Sequence, residues 1–385
     1  MPDNAKKSKK GFWSSVFISG KMDLTFFFLL LIILLTGLVM LFSASYVYAD
    51  TKYNNSYYFI TKQAVFAVFG VLMMLFISKI DYHFIRKFAI PFYIVIVGFL
   101  VVMLILPPMV PNTSVKRWFS VGPINFQPSE LAKLAVILIL AHLIAANQEL
   151  MKTFKFGVLF LGGLVGVVCL LVVLEPHVSA TVLIFMIGAV MMIVGGIRKR
   201  YLAIGAGVAA AGAIVIFSGV IKYAQDRITY WLDPWSAPSR EGWQTIQSLL
   251  SIGSGGVTGR GLGQSNQKHL WVPEPHNDFI FAIVCEELGF IGAMIIIIMF
   301  CMLMWRGFVI AMLAPDRFGS LLAFGLTFQV GLQMALNVLV VTNTIPNTGI
   351  SLPFFSYGGT SLVILLMEMG VVLSVSRACS AKKKL

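Results

Sequence analysis

The densest group of side chains that could carry out acid–base chemistry lies in the segment 271–278, which reads WVPEPHND. It contains the carboxylates of Glu274 and Asp278 and the imidazole of His276, and it runs directly into an apolar stretch. Acidic residues are costly beside or within a membrane span, so those found there are candidates for function. A positioned carboxylate can take a proton from an attacking hydroxyl group. This segment is therefore the first candidate site.

The position of Asp278 also permits a structural interpretation. It stands where a helix is predicted to begin, and a carboxylate there could accept the unpaired backbone N–H groups of the first turn. Glu286 and Glu287 are not expected to be its acid–base partners, because a rise of about 1.5 Å per residue puts them roughly 12 to 14 Å further along the helix. At about 100° per residue they also point to other sides. They are expected to form hydrogen bonds with other helices or with ordered water.

Polar residues interrupt other apolar stretches at helical spacing. Glu130 and Lys133 are one turn apart, which permits an ion pair; a structural pair and a role near a substrate are equally consistent with this spacing. Gln329, Gln333 and Asn337 form a stripe at i, i+4 and i+8. Such a stripe favours hydrogen bonds that join helices.

Three further features give weaker signals. The glycine-rich segment 253–263 (GSGGVTGRGLG) matches no dinucleotide or P-loop pattern and is expected to be a loop with unusual backbone angles. The Glu-Pro-His sequence occurs at 175–177 and again at 274–276, each time before an apolar stretch, which favours a shared helix-start signal. The four cysteines are scattered and indicate neither a metal site nor a disulfide framework.

The elements that must position these residues follow from the composition. Of the 385 residues, 58% are hydrophobic and 12% are charged, and the mean hydropathy is +0.88. Soluble domains carry about 25% charged residues. A surface with half that charge density cannot be that of a soluble particle. A soluble enzyme, a disordered tail and a nucleic-acid binder are excluded, and the chain is predicted to be an all-α polytopic membrane protein.

Apolar windows long enough to cross a bilayer, about 17 to 25 residues, predict ten spans and one long polar segment, 222–277, between the seventh and the eighth. The predicted windows are 24–44, 59–78, 89–107, 129–146, 155–174, 178–195, 201–221, 278–304, 318–341 and 354–376. The first window is too long for a cleaved signal and is expected to remain as a span. The predicted organisation is a basic tail at 1–23, a membrane domain at 24–376 and a second basic tail at 377–385.

The basic residues predict the orientation of these spans. The two tails and the connections on their side hold 19 of the 29 lysine and arginine residues, and half of the other ten lie in the long segment 222–277. Short connections rich in Lys and Arg stay in the cytoplasm, and long loops count little. Both termini are therefore predicted to be cytoplasmic, with 222–277 on the outer side. The formal charge of +13 is then a sign of topology rather than of nucleic-acid binding.

Three motifs, read in order, are similar to one known family. They are 116–133 (KRWFSVGPINFQPSELAK), then 261–268 (GLGQSNQK) with 272–281 (VPEPHNDFIF) and 286–289 (EELG), and finally 347–359 (NTGISLPFFSYGG). Together they resemble the SEDS family of peptidoglycan polymerases, the FtsW and RodA type, over nearly the whole chain. The residues of the second motif are more similar to those of FtsW, or its sporulation relative, than to those of RodA. Two positions depart from the family pattern: Asn277 replaces a common Thr, and His177 replaces a common Asp.

The resemblance implies a glycosyltransferase that polymerises lipid II at the outer membrane surface during division, and it places the family's essential aspartate on Asp278. It also implies a class B penicillin-binding transpeptidase and other division proteins as partners, a growing glycan strand as product, and a location at the septum of the cytoplasmic membrane. The residues expected to bind substrate are Lys116, Arg117, Trp118, Glu130, Lys133, Gln267, Lys268, Glu274, His276, Ser356 and Tyr357.

The implied chemistry assigns roles to some of these residues. An α-linked donor that gives a β-linked product needs one inversion, and hence one base and no covalent intermediate, for which Asp278 is the candidate. The diphosphate leaving group needs cations, and Arg117 and Lys268 are the first choices. No cofactor is assigned with certainty. A divalent cation, Mg²⁺ or Mn²⁺, held by Glu274 is an alternative. His276 is expected to orient Asp278 or to bind a phosphate.

Two other functions remain open on the sequence. A lipid II flippase would need polar groups through the middle of the membrane, and the stripe on the ninth span with Lys133 and Glu368 could supply them. The polar residues are densest at one side, which favours a one-sided polymerase site. A pure scaffold for other proteins does not account for Asp278 beside Glu274 and His276.

Overall fold

The computed structural model describes residues 16–18, 20–106, 119–121, 124–201, 203, 205, 207, 229–236, 242–269 and 271–382. Most of the predicted seventh span, 201–221, lies outside these residues. So do Lys116, Arg117 and Trp118, together with residues 222–228, 237–241 and 270 of the predicted outer segment 222–277.

The fold is all-α, as predicted, and most of the apolar windows are helices. The helices are α1 (Leu24–Tyr53), α2 (Tyr58–Ile77), α3 (Tyr82–Arg86), α4 (Ala89–Ile105), α5 (Pro128–Ala146), α6 (Leu161–Leu174), α7 (Val178–Val194), α8 (Trp243–Gly255), α9 (Ile280–Leu313), α10 (Arg317–Val341) and α11 (Gly359–Lys382). A π-helical turn, Lys155–Phe160, extends α6 at its start. The described residues add two elements that were not predicted, namely helix α8 and an antiparallel hairpin before α5, formed by β1 (Phe119–Val121) and β2 (Ile124–Phe126).

The long helices can cross a membrane because they are long and mostly apolar. Seven helical segments of at least 18 residues among those described are long and apolar enough to do so, and α4 and α7 are slightly shorter apolar helices. Packing then selects which side faces the protein. On α1, Phe26, Leu30 and Ile33 are fully buried, whereas Phe28 and Leu35 on the other side are more than half exposed. Exposed apolar side chains of this kind are typical of a surface in contact with lipid.

Contacts at the helix ends define two ends of the bundle. At the basic end, where α1 begins, Arg306 pairs with Asp23 at 2.7 Å, and the Tyr82 hydroxyl donates to Asp316. We call the opposite end, where α1 ends and α9 begins, the site end. It contains the segment 271–278.

The polar stripe on α10 connects helices through the core, as the sequence predicted. Gln329 donates to Glu368 on α11 at 2.9 Å, and Gln333 accepts from Lys133 on α5 at 3.4 Å. Asn337 is fully buried and donates to two backbone carbonyls at the site end. The stripe therefore fixes α10 against its neighbours from the middle of the bundle to the candidate site.

Helix α9 is broken at Gly289, where φ is 67° and ψ is −170°. The break frees the carbonyls of Glu286 and Glu287, which accept from the backbone N–H groups of Arg260 and Gly261 at 3.0 Å. It also frees the N–H groups of Phe290 and Ile291, which donate to the carbonyls of residues 256 and 257. All four bonds are made with one segment, 256–261.

The segment 222–277, predicted to be an outer loop, therefore also enters the helix bundle. Helix α8 packs against the first half of α9 so closely that a Cβ atom on Gly255 would lie 2.0 Å from the carbonyl oxygen of Cys285. The chain then reaches the break, which lies nine residues, or roughly 14 Å, beyond the start of α9. Irregular backbone at this depth is tolerated where protein surrounds it. The loop descends into the bundle and returns to Asp278.

Substitution of Gly289 tests this arrangement. A side chain is strained at this φ and ψ, and its Cβ atom would lie 2.2 Å from the backbone nitrogen of Gly259. Gly289→Ala is expected to lower the free energy of unfolding by at least about 2 kcal/mol, measured as a lower midpoint of thermal unfolding in detergent. Gly253→Ala is the control, because no atom lies within 4 Å of the Cβ position there. Equal midpoints for the two variants would contradict the close contact at the break.

Candidate active site

The segment that carries Asp278 forms a compact turn before α9. Glu274 has a positive φ of 46°, and its backbone carbonyl accepts from the N–H of Asn277 at 3.0 Å. The Asn277 side chain donates to the Glu274 carboxylate at 2.8 Å. Helix α9 begins at Ile280 with Phe279 at its N-cap, so Asp278 lies one residue before the capping position that the sequence suggested for it.

The backbone around Asp278 is held by two other elements. The Asn337 amide on α10 donates to the carbonyls of Asp278, at 2.8 Å, and Ile350, at 2.6 Å. The Ser356 hydroxyl donates to the carbonyl of Asn277 at 2.8 Å, and the N–H of Tyr357 donates to the carbonyl of His276 at 2.9 Å. Ser356 and Tyr357, expected to bind substrate, therefore join the segments 276–278 and 350–357 through their backbone and hydroxyl groups.

Gly349 leaves room beside the Asp278 carboxylate. Its φ is +70°, and a Cβ atom there would lie 3.2 Å from the Asp278 Oδ2 atom. The adjacent carbonyl of Thr348 accepts from the Ser179 hydroxyl at the start of α7. The start of α7 is thus linked to the segment that lies beside the Asp278 side chain.

His276 is buried in a group of aromatic rings. Only 3% of it is exposed, and its ring centroid lies 4.1 Å from Phe59, 5.0 Å from Tyr48 and 6.0 Å from Tyr357. Burial, with a smaller effect of the Lys52 charge, lowers the pKa of His276 to about 4. The imidazole is therefore neutral at physiological pH. Of its two expected roles, this favours orientation of the segment over binding of a phosphate.

Lys133 and Glu130 form the ion pair that their spacing permits. The Lys133 ammonium lies 2.9 Å from the Glu130 carboxylate and 3.4 Å from the Gln333 side-chain oxygen. Lys133 is 1% exposed, whereas the Glu130 side chain is 14% exposed at the first turn of α5. The pair is therefore confirmed, and its acidic member is the more accessible one.

Lys268 lies in a different environment from the one the sequence suggested. A solvent-facing cation was expected, but Lys268 is completely buried and its ammonium lies 2.8 Å from the Glu287 carboxylate. The neighbouring Gln267 donates its backbone N–H to Glu286 at 3.3 Å. The physical reason is the descent of the loop, which brings 265–268 to two buried carboxylates on α9.

Two exposed cations at the site end were not singled out by sequence reasoning. The Lys52 ammonium donates to the Tyr48 hydroxyl at 3.0 Å, and the Lys62 ammonium donates to the Tyr58 hydroxyl at 2.7 Å. Lys52 is close enough to act electrostatically on His276, and Lys62 is close enough to act on Tyr357. The sequence contained only a weak signal for them, namely two basic residues on the side of the membrane where such residues are few.

The first Glu-Pro-His segment also lies at the site end and is largely buried. Glu175 is 1% exposed, and burial raises the pKa of its carboxyl to about 7. The His177 imidazole lies 3.4 Å from the Gln127 side-chain nitrogen at the start of α5. Across the described part of the chain, no three potential metal ligands come together. The carboxylate of Glu274, the candidate metal ligand, accepts a hydrogen bond from the Asn277 side chain.

The described helices form an apolar bundle in which α9 is broken. A descending loop and an acidic turn, 274–278, lie at one end of it. This arrangement defines a polytopic membrane protein with a polar site at one end. The chain belongs to the FtsW/RodA/SpoVE family of cell cycle proteins, whose family model matches residues 23–381. The resemblance to SEDS proteins drawn from the three motifs is thereby confirmed.

Individual relatives and solved structures match almost end to end. The chain is 41% identical to stage V sporulation protein E of Bacillus subtilis (92% of this chain, 97% of the relative) and 37% identical to a probable peptidoglycan glycosyltransferase FtsW of a Geobacter species (90% and 95%). A chain of a solved peptidoglycan synthase complex, described for its coordination of polymerization and crosslinking, superposes with a TM-score of 0.78 at 26% identity (93% and 98%). The rod shape determining protein RodA of Thermus thermophilus gives 0.69, also at 26% identity (92% and 97%).

The burial of His276 predicts a specific dependence of stability on pH. Its pKa in the folded protein, about 4, is below the ordinary value of 6.5. The unfolded chain therefore binds more protons between these values, and stability is lost as the pH falls from about 6.5 towards 4. The loss is about 2 kcal/mol at pH 5. His276→Phe, which keeps a ring in the aromatic group, is expected to remove this part of the acid destabilisation.

The measurement is the midpoint of thermal unfolding of both proteins between pH 5 and pH 8. Other titrating groups, such as Glu175, contribute equally to both and cancel in the difference. Identical pH profiles for the wild type and His276→Phe would show that His276 is not buried in its neutral form.

Proposed function

We propose that this chain is a peptidoglycan glycosyltransferase that polymerises lipid II at the outer face of the cytoplasmic membrane, with Asp278 as the general base. The observation that carries the proposal is the position of Asp278 at one end of an apolar bundle, with its carboxylate beside Gly349 and its backbone held by Asn337. The names of the FtsW relatives support the reaction class. The proposal places both termini in the cytoplasm and the site end outside.

Asp278 is suited to the role of a base because its backbone is fixed while the residue is partly exposed. Asn337 and Ser356 hold the carbonyls of Asp278 and Asn277, and Gly349 leaves the face next to Oδ2 without a side chain. An acceptor sugar hydroxyl that enters this space can pass its proton to the carboxylate as it attacks the donor. A single displacement of this kind inverts the configuration of the donor carbon.

The diphosphate leaving group requires positive charge where its own charge develops. Among the described residues, Lys52 and Lys62 are the exposed cations next to the acidic turn, since Lys268 is buried. We assign the diphosphate to these two cations. The Glu130–Lys133 pair on α5 and Arg117 remain candidates for substrate binding from the sequence. A divalent cation that also touches Glu274 would supply the same stabilisation.

The membrane accounts for the remainder of the arrangement. A prenyl chain of roughly 55 carbons dissolves among the apolar helices, which leaves the sugars and the diphosphate at the site end. Ser356 and Tyr357 then border the path of the acceptor strand. The solved peptidoglycan synthase complex supports a class B penicillin-binding transpeptidase as partner, and the FtsW relatives support a role at the division septum.

A flippase is the second candidate, and the polar groups in the core are the observation that favours it. Lys133 on α5 bonds to Gln333, and Gln329, one turn away on α10, bonds to Glu368 on α11. Such bonds also join helices in an ordinary bundle. Asp278 lies at one end of the bundle and outside this group of core residues, so the polymerase comes first.

The proposal predicts that Asp278→Asn abolishes polymerisation. The amide has nearly the same shape but cannot accept the proton, so the rate of glycan formation from labelled lipid II should fall at least about 100-fold. The assay uses the purified chain in detergent, with and without the transpeptidase, and resolves glycan ladders on a gel. Asp50→Asn is the matched control, because Asp50 is exposed at the same end and its carboxylate accepts from the nearby Ser56 hydroxyl at 3.0 Å.

The two candidate functions give different results in this assay. Ladders from the wild type and from Asp50→Asn, but not from a folded Asp278→Asn, would support the polymerase and its base. If no protein makes glycan in any condition while the wild type moves labelled lipid II across liposomes, the polymerase is excluded and the flippase takes its place.

A further inference from the structure

Two adjacent carboxylates inside the bundle have no part in the chemistry proposed above. Glu286 and Glu287 lie on α9 just before its break, and they are 0% and 1% exposed. Each carboxylate is bound by several donors. Burying a charged side chain costs free energy unless the charge is paired and hydrogen-bonded. The donors around these two carboxylates offset this cost.

Glu286 binds the backbone of the descending loop. Its carboxylate accepts from the Ser265 hydroxyl at 2.5 Å and from the backbone N–H groups of Asn266, at 2.9 Å, and Gln267, at 3.3 Å. The Arg260 guanidinium lies 3.7 Å away. Consecutive N–H groups that point at one anion form an anion-binding nest. Only one conformation of the segment 265–267 presents these donors together.

Glu287 joins the same loop to α1. Its carboxylate accepts from the Lys268 ammonium at 2.8 Å and from the Ser43 hydroxyl at 2.6 and 2.7 Å. The Lys268 ammonium also lies 3.4 Å from the Ser43 oxygen and 4.8 Å from the ring centroid of Tyr46. We call the group Ser43, Ser265, Lys268, Glu286 and Glu287 the loop clamp.

The loop clamp closes a stretch of chain that contains Asp278. Lys268 precedes Asp278 by ten residues and Glu287 follows it by nine. Between them, the N–H of Val272 donates to the carbonyl of Gln267 at 3.0 Å, and the Trp243 indole donates to the carbonyl of Trp271 at 2.7 Å. Closing a loop restricts the positions available to every residue within it.

Stability alone does not account for this choice of side chains. Replacing a buried ion pair with apolar residues of similar volume is often neutral or stabilising, whereas removing one partner is strongly destabilising. Hydrogen bonds and ion pairs are directional, so they select one register of the loop on α9, which apolar packing alone does not do. A register error there would displace Asp278, and a displacement of about 1 Å can cost roughly 100-fold in rate.

We propose that Lys268, Glu286 and Glu287 are positioning residues that fix the descending loop and thereby hold Asp278 in place. The proposal rests on the polymerase function for its kinetic readout. It also assigns Lys268 to the loop clamp instead of the diphosphate, and these two assignments predict different behaviour when Lys268 and its partner are changed together.

The test compares Lys268→Met, Glu287→Gln and the double variant in the full-length purified chain. Each single change leaves one buried partner without its counterpart, and kcat for lipid II polymerisation is expected to fall about 10- to 100-fold while KM changes less than about 3-fold. The double variant has no unpaired charge and should recover to within about 5-fold of the wild type. Lys155→Met, an exposed lysine at the basic end, is the control and should behave as the wild type.

Cys285 supplies a second readout that does not depend on activity. It is 7% exposed and its backbone is covered by α8, whereas Cys301 on the same helix is exposed. The rate of N-ethylmaleimide labelling of Cys285 relative to Cys301, measured by mass spectrometry, should rise at least about 10-fold in the single variants and return towards the wild-type rate in the double variant.

The outcomes separate the alternatives. A double variant as inactive as Lys268→Met, with Cys285 still protected, would show that Lys268 acts on the substrate and would overturn the proposal. Single variants with normal kcat and protected Cys285 would overturn it as well. If the wild type makes no glycan, the polymerase function fails, and the labelling pattern alone still decides whether the loop clamp holds the loop.

Discussion

The break in α9 is the constraint on which the rest of the structure depends. In a membrane every backbone N–H and C=O group must be bonded within the protein, and a helix interrupted at Gly289 leaves four such groups without a helical partner. The segment 256–261 satisfies them. It can do so only if the chain enters the bundle from the site end, and α8 is the element that brings it there. The broken helix and the descending loop therefore require each other.

The candidate site inherits its geometry from this arrangement. The loop returns to the site end through the turn 274–278, where backbone contacts from Asn337, Ser356 and Tyr357 hold it. The polar side chains nearest to Asp278 thus act mostly on carbonyl groups, and the carboxylate itself faces Gly349. Backbone contacts of this kind fix the position of a reactive side chain.

The sequence predicted the elements that depend on local pattern. Apolar length predicted the described spans, helical spacing predicted the Glu130–Lys133 pair and the stripe on α10, and motif resemblance led to Asp278. Helix α8 was missed because its 13 residues are too few for a span and lie in a polar, glycine-rich segment. The burial of Lys268 was missed because its partner is 19 residues away, beyond a turn whose path no periodicity reveals.

The same break divides α9 into two parts with different surroundings. All side chains from Ile280 to Glu287 are buried in protein, whereas Phe290 and Ile291, directly after the break, are 64% and 50% exposed. Only the second part of α9 therefore meets lipid. A change in bilayer thickness acts on lipid-exposed helix by tilting it, and the interruption at Gly289 leaves the first part without a continuous helix through which that tilt would pass.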